Sequence, residues 1–233
     1  KDTVKKKKYS IRCMKGRLVP DVAVLDPIFT TTMPKSLTAS SGMDALTHAI
    51  ESYVTPKANP YSDAMAMASF RYGYENLAEC YEHGDNLEAR ANMLAASCMG
   101  GIAFSNCALG IVHSIAHTFG AEYGVPHGLA NAIVLPYGIR FNQENPETAK
   151  RYRELAALVG ETDLLEAVMK LRRRINVPET MSEVVKDEAD VMSKLDALVD
   201  KAFADVCTPF TPRMPSREEM RSLILEVYHG ACR

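Results

Sequence analysis

A single strand-like segment, Val22-Ala23-Val24-Leu25, closed by Asp26-Pro27, stands ahead of a sequence that otherwise reads as one helix after another. An isolated strand leaves its backbone N–H and C=O groups unmatched, so it belongs in a sheet whose other strands lie elsewhere. The chain therefore reads as opening partway through a larger α/β architecture and continuing as a helical domain. Helices are predicted over residues 39–53, with Thr38, Ser40 or Ser41 as the cap, and over 62–81. Leu87, Ala91, Leu94, Ala95, Cys98, Met99 and Ile102 form an apolar stripe at helical spacing. Further helices are predicted at 148–159, ended by Gly160, at 164–175, ended by Asn176-Val177-Pro178, and at 191–204. The last opens on a Ser216-x-x-Glu219 capping box and closes at Gly230.

An apolar content of 47% over 233 residues is far too high for a disordered chain. No run of about eighteen apolar residues is present, so no membrane span is expected. The opening Lys1-Asp2-Thr3-Val4-Lys5 lacks the apolar stretch of a secretory signal, and a cytoplasmic protein is expected. A net charge of −2 gives no electrostatic case for a nucleic-acid partner. The first 17 residues hold eight of the 27 Lys/Arg and one of the 29 Asp/Glu; with little aromatic interleaving they read as a solvated turn or frayed end. Six cysteines (13, 80, 98, 107, 207 and 232) include no C-x-x-C pair, which points to inert thiols in a reducing compartment. No G-x-G-x-x-G turn follows a strand: Gly120, Gly124 and Gly128 have the wrong spacing for a dinucleotide cradle.

Two short stretches stand out from the helical background. Gly42-Met43-Asp44-Ala45-Leu46-Thr47-His48-Ala49-Ile50-Glu51 places Asp44 and His48 four apart, on one helix face within about 6 Å of each other. Gly110-Ile111-Val112-His113-Ser114-Ile115-Ala116-His117 repeats that spacing, and His127 follows in Val125-Pro126-His127-Gly128. Apolar neighbours argue for burial, and buried imidazoles and carboxylates are costly unless paired or bound to a metal. Taken singly, Asp44 and His48 fit a plain hydrogen bond, and His113 fits a satisfied core histidine. His83 reads as a surface turn residue and His229 as a charge partner at a helix C-terminus. Together, oxygen and nitrogen donors on buried helices suit a first-row divalent ion with an open position. Ser114 stands where H-E-x-x-H would need glutamate, which argues against a zinc peptidase.

These stretches, with Pro20-Asp21-Val22-Ala23-Val24-Leu25-Asp26-Pro27, Met33-Pro34-Lys35-Ser36-Leu37, Gly101-Ile102-Ala103-Phe104-Ser105-Asn106 and Pro126-His127-Gly128-Leu129-Ala130-Asn131-Ala132, resemble the helical C-terminal domain of the iron-containing alcohol dehydrogenases. The resemblance runs from Val19 across nearly the whole chain. It implies a mainly α fold, the helical domain of a dehydroquinate synthase-like architecture, with a short remnant strand from an α/β cofactor domain. Residues 1–27 would be the tail of that dinucleotide-binding domain and 28–233 the metal-binding domain. Asp44, His48, His113 and His127 would ligate iron(II) or zinc. His117 would lie beside them without ligating, near the nicotinamide of NAD or NADP and the substrate, as a proton relay.

The implied reaction interconverts a primary alcohol and its aldehyde by hydride transfer, with the metal polarising the substrate oxygen, in a homo-oligomer. The resemblance departs at Cys207-Thr208-Pro209-Phe210-Thr211-Pro212-Arg213, where Pro209 replaces the usual glycine and Thr211 the usual asparagine. Phe104 and Phe210 are candidate pocket walls or plain core aromatics. A glycerol dehydrogenase-like zinc enzyme and a non-catalytic helical assembly module are the rival readings.

Overall fold

The computed structural model describes residues 20–230, so the basic stretch 1–17, Cys13 and Cys232 lie outside the described residues. Within them the chain is helical, and residues 22–25 do not form the predicted strand. They carry no regular structure and no backbone pairing among the described residues, with Val22 77% and Val24 83% exposed. The reason is the one that singled them out: no second strand among the described residues offers its backbone groups. Asp26 then accepts from the Ile28 N–H and starts a 3-10 turn, Pro27–Thr30.

Pro34, extended at ψ 150°, launches α1 (Lys35–Val54). The helix thus begins before the predicted caps, which lie inside it with other partners. Thr38 accepts from Arg90 Nη1 at 3.0 Å, while Ser40 and Ser41 donate back to the Leu37 carbonyl. Asn59 caps α2 (Pro60–Glu82), forming a reciprocal box with Ser62, and Asn86 caps α3 (Leu87–Cys107). Next come α4 (Ile111–Glu122), α5 (His127–Asn142), α6 (Pro146–Ala157) and α7 (Leu164–Arg174). The single helix predicted over 191–204 is two, α8 (Glu188–Ser193) and α9 (Leu195–Phe203), broken at Lys194. There the backbone leaves helical geometry, at φ −102° and ψ 2°, and the ammonium reaches Glu122 and Asp190. The chain finishes with α10 (Arg217–His229), capped by Ser216 and Glu219 as the sequence predicts.

Helix α1 is the hub. It packs on α2 and α3 along one side and on α5 and α6 along the other, while α4 packs on α5 and α9. Met43, Leu46 and Ile50 of α1, Ile111, Ile115 and Phe119 of α4, and Ile133 and Leu135 of α5 are each at most 1% exposed. Burying each such side chain stabilises the fold by about 1.5–3 kcal/mol. Close approach of α1 and α5 depends on Gly128: a Cβ there would lie 2.3 Å from the Ser40 carbonyl oxygen, a backbone atom that cannot step aside. No single described helix is long and apolar enough to cross a membrane.

The terminal helix offers a direct check on the capping. Ser216→Ala removes the acceptor for the Glu219 N–H and is expected to destabilise the chain by about 0.5–2 kcal/mol in urea denaturation. An unchanged midpoint would mean the box contributes nothing.

Candidate metal centre

The interior of the bundle carries charge where three helices meet. Asp44 and His48 come from the middle of α1, His113 from the first turn of α4, and His127 is the first residue of α5. One donor atom from each lies within 4.8 Å of all the others. Asp44 Oδ1 is 3.4 Å from His127 Nε2, 3.7 Å from His113 Nε2 and 3.8 Å from His48 Nε2. Donors around a tetrahedral ion at about 2.0–2.2 Å would sit about 3.3–3.6 Å apart, so a small divalent cation fits this spacing. Three neutral nitrogens and one anionic oxygen also leave such an ion its Lewis acidity.

A fifth side chain fixes the geometry. Glu51, 3% exposed, projects from α1 on the same stripe as Asp44 and His48. Its Oε1 accepts from the Val112 N–H at 2.8 Å, and Oε2 accepts from the His113 N–H and, at 2.6 Å, from His113 Nδ1. The carboxylate thus caps the N-terminus of α4 and holds the His113 ring with Nε2 turned toward Asp44. Gly110 makes room for it, since a Cβ there would come within 3.0 Å of Glu51 Oε1. On the far side the His48 ring stacks on His113 at 4.9 Å and meets Phe104 at 4.6 Å.

His117 sits one turn after His113. Its ring stacks on His127 at 5.2 Å, and its Nδ1 is 2.9 Å from Asp205 Oδ2. Asp205 is held in turn by the Cys207 N–H at 2.9 Å, and Thr208 donates to Ser114 on α4. The segment that departs from the resembled pattern therefore docks against α4 and orients His117. Phe210 stays apart, its ring under the Lys57 ammonium at 4.4 Å. His83 is a surface residue beside Glu79, and His229 faces Glu188, as read from the sequence. Sequence reading overlooked as site residues Glu51, Asp205 and Asn131, the last a buried α5 residue whose Nδ2 donates to Asp44 Oδ1 at 2.6 Å. Glu51 lies seven residues after Asp44, and Asn131 four after His127, so helical spacing could have found both. Asp205 has no register with His117.

The four groups perturb one another electrostatically. Burial pushes the Asp44 carboxyl up, but the His113 hydrogen bond and the three imidazoles outweigh it and hold it well below the usual carboxylate range. Burial and then the charge of His113 push His48 down to about 3. Burial also disfavours charge on His113, yet its bonds to Asp44 and Glu51 raise it to about 9. Those bonds favour a proton on His113 at neutral pH, which a cation bound at Nε2 would displace. Below pH 9, affinity for zinc is expected to rise about tenfold per pH unit, with about one proton released per ion, read by calorimetry in buffers of different ionisation enthalpy. Affinity flat between pH 6 and 8 would contradict this. Glu51→Gln should weaken zinc binding about 10–100-fold in chelator competition; wild-type affinity would show that Glu51 does not orient His113.

Comparison with known proteins gives a consistent result. The family model described as "Fe-containing alcohol dehydrogenase family, C-terminal" matches residues 38–228. The chain is 42% identical over 222 residues to an NADPH-dependent butanol dehydrogenase of Clostridium saccharobutylicum, covering 91% of this chain and 56% of that protein. It is 34% identical over 238 residues to a bifunctional aldehyde-alcohol dehydrogenase of Escherichia coli, covering 91% and 27%. Among solved structures, an iron-containing alcohol dehydrogenase from Thermococcus thioreducens superposes with a TM-score of 0.84 at 39% identity, covering 91% of this chain and 55% of that one.

Proposed function

Because the chain belongs to the iron-containing alcohol dehydrogenase family, we propose that it supplies the metal-binding half of a nicotinamide-dependent oxidoreductase acting on a primary alcohol and its aldehyde. The observation that carries this reading is the convergence of Asp44, His48, His113 and His127 on one point between α1, α4 and α5. The chain spans little more than half the length of the butanol dehydrogenase it matches. When bound, iron(II) or zinc would polarise the substrate oxygen and NAD or NADP would exchange the hydride.

The remaining tasks fall to side chains of this chain. Asp44 supplies the one anionic donor, and Glu51 keeps the His113 lone pair aimed inward. His117, tied to Asp205 through Nδ1, has Nε2 left to exchange a proton with the substrate hydroxyl or with solvent. Phe104 packs its ring against His48. Val22, Val24, Leu25, Ile28 and Phe29 lie exposed in one apolar run. This run supports assigning residues 1–27 to the end of a dinucleotide-binding domain, with 28–233 the metal-binding domain. Zinc generally binds such donors more tightly than iron(II), so availability selects between them.

Metal analysis tests the reading most simply. Loaded with iron(II) under anaerobic conditions and then desalted, the chain should retain one ion per molecule, whereas Asp44→Ala and His127→Ala should retain far less. Unchanged metal content in both variants would refute the assignment.

A further inference from the structure

His117, Asp205 and Cys207 form a second cluster of donors, and one atom from each lies within 4.8 Å of the others. His117 Nδ1 donates to Asp205 Oδ2 at 2.9 Å, since an ionised carboxylate can only accept. Asp205 Oδ1 accepts from the Cys207 N–H at 2.9 Å, a turn that keeps carboxylate and thiol close. Thr208, next in sequence, is fully buried, with Oγ1 2.8 Å from Ser114 Oγ and 2.6 Å from the Ala202 carbonyl oxygen. The loop after α9 is therefore pinned to α4 on one side and to α9 on the other. Cys207 is buried, and the His117 and Asp205 side chains are mostly so. A thiolate is a soft donor that favours zinc, whereas the set between α1, α4 and α5 holds only nitrogen and oxygen. Three protein donors leave a tetrahedral ion one position for water. Nδ1 and Oδ2 need to open by about half an ångström to span such an ion, a small swing for a partly exposed imidazole.

We propose that His117, Asp205 and Cys207 are a second cation site, which takes zinc once the four-donor set between α1, α4 and α5 is filled. The order follows from three donors against four, and from the thiol proton that must leave before the sulfur can bind. The ion stands where the imidazole hydrogen stood between Nδ1 and Oδ2. That hydrogen passes through solvent to Nε2, and the thiol proton goes to solvent. With a carboxylate and a thiolate on it, a divalent ion here adds no net charge beside the first. Nε2 then carries a hydrogen and cannot accept one, so zinc beyond one equivalent closes the proton relay assigned to His117. That consequence rests on the role proposed for His117 above; the site itself does not.

Anaerobic titration of the 233-residue chain with cobalt(II), a spectroscopic stand-in for zinc, tests the site. A sulfur–cobalt bond adds a near-ultraviolet charge-transfer band that nitrogen and oxygen donors lack. The first equivalent should give visible bands alone, and the second should bring the near-ultraviolet band. Cys207→Ser should lose that band and keep the first step, while Asp205→Asn should weaken the second step alone. If Cys207→Ser fails to fold, Cys207→Ala, which buries no new hydroxyl, decides by the same reading. The proposal is overturned if the wild type shows no near-ultraviolet band at two equivalents, or shows it complete at the first. It is equally overturned by a band that persists without Cys207, since another of the six cysteines would then hold the ion. The double variant Asp44→Ala, His127→Ala separates the two sites: it should lose the first step and keep the sulfur band. A first step untouched in that variant would refute the four-donor assignment and leave the second site standing.

Discussion

A carboxylate buried between two helices is tolerable only when hydrogen-bond donors meet it, and Glu51 is met on both oxygens by three donors, all from α4. Two backbone N–H groups that no intrahelical carbonyl can reach, and one imidazole nitrogen, converge on it. The contact ties the middle of α1 to the first turn of α4. From that constraint follow the orientation of the His113 ring, the tight fit around Gly110, and the direction in which Nε2 points. A second constraint, the close approach allowed by Gly128, brings the first residue of α5 against Asp44. With α1 as hub, these two junctions determine where the donors meet.

The meeting point is built against the ordinary preferences of its members. Three imidazoles and a carboxylate crowd one another, and His48 and His113 are driven in opposite directions: burial and the charge of His113 push His48 down, while the bonds to Asp44 and Glu51 raise His113. Such mutual perturbation marks a functional cluster more often than a structural one. A purely structural solution would have filled the space with the leucine, isoleucine and alanine that surround it. The packed helices hold the donors within 4.8 Å of one another, the spacing that a small divalent cation would need.

Much of this was legible in the sequence, for reasons that differ by residue. Helices with a polar cap and an apolar stripe declare themselves, and the Ser216–Glu219 box is where the pattern puts it. Asp44, His48, His113 and His127 were visible as polar residues in apolar, glycine-bounded stretches, and Glu51 and Asn131 stood in the same helical registers. Three features were not legible. Helix α5 carries Pro136 in its interior, where proline ordinarily ends a helix, and it was not among the predicted ones. The start of α1 depends on Pro34 and not on the hydroxyl residues that resemble caps. Asp205 reaches His117 across 88 residues of chain, a contact that only tertiary packing creates. The strand over residues 22–25 failed for the complementary reason: its pattern is that of a strand, but strand geometry needs a partner.

A second set of donors lies close to Asp44, His48, His113 and His127: those of His117, Asp205 and Cys207 are also within 4.8 Å of one another. X-ray absorption at the zinc edge of the chain loaded with one equivalent of zinc separates the two directly. Nitrogen and oxygen neighbours at about 2.0–2.2 Å, with the outer-shell scattering of several imidazoles and no sulfur, are the expected result. A sulfur neighbour at about 2.3 Å would put the ion on Cys207 and contradict a centre built from Asp44, His48, His113 and His127.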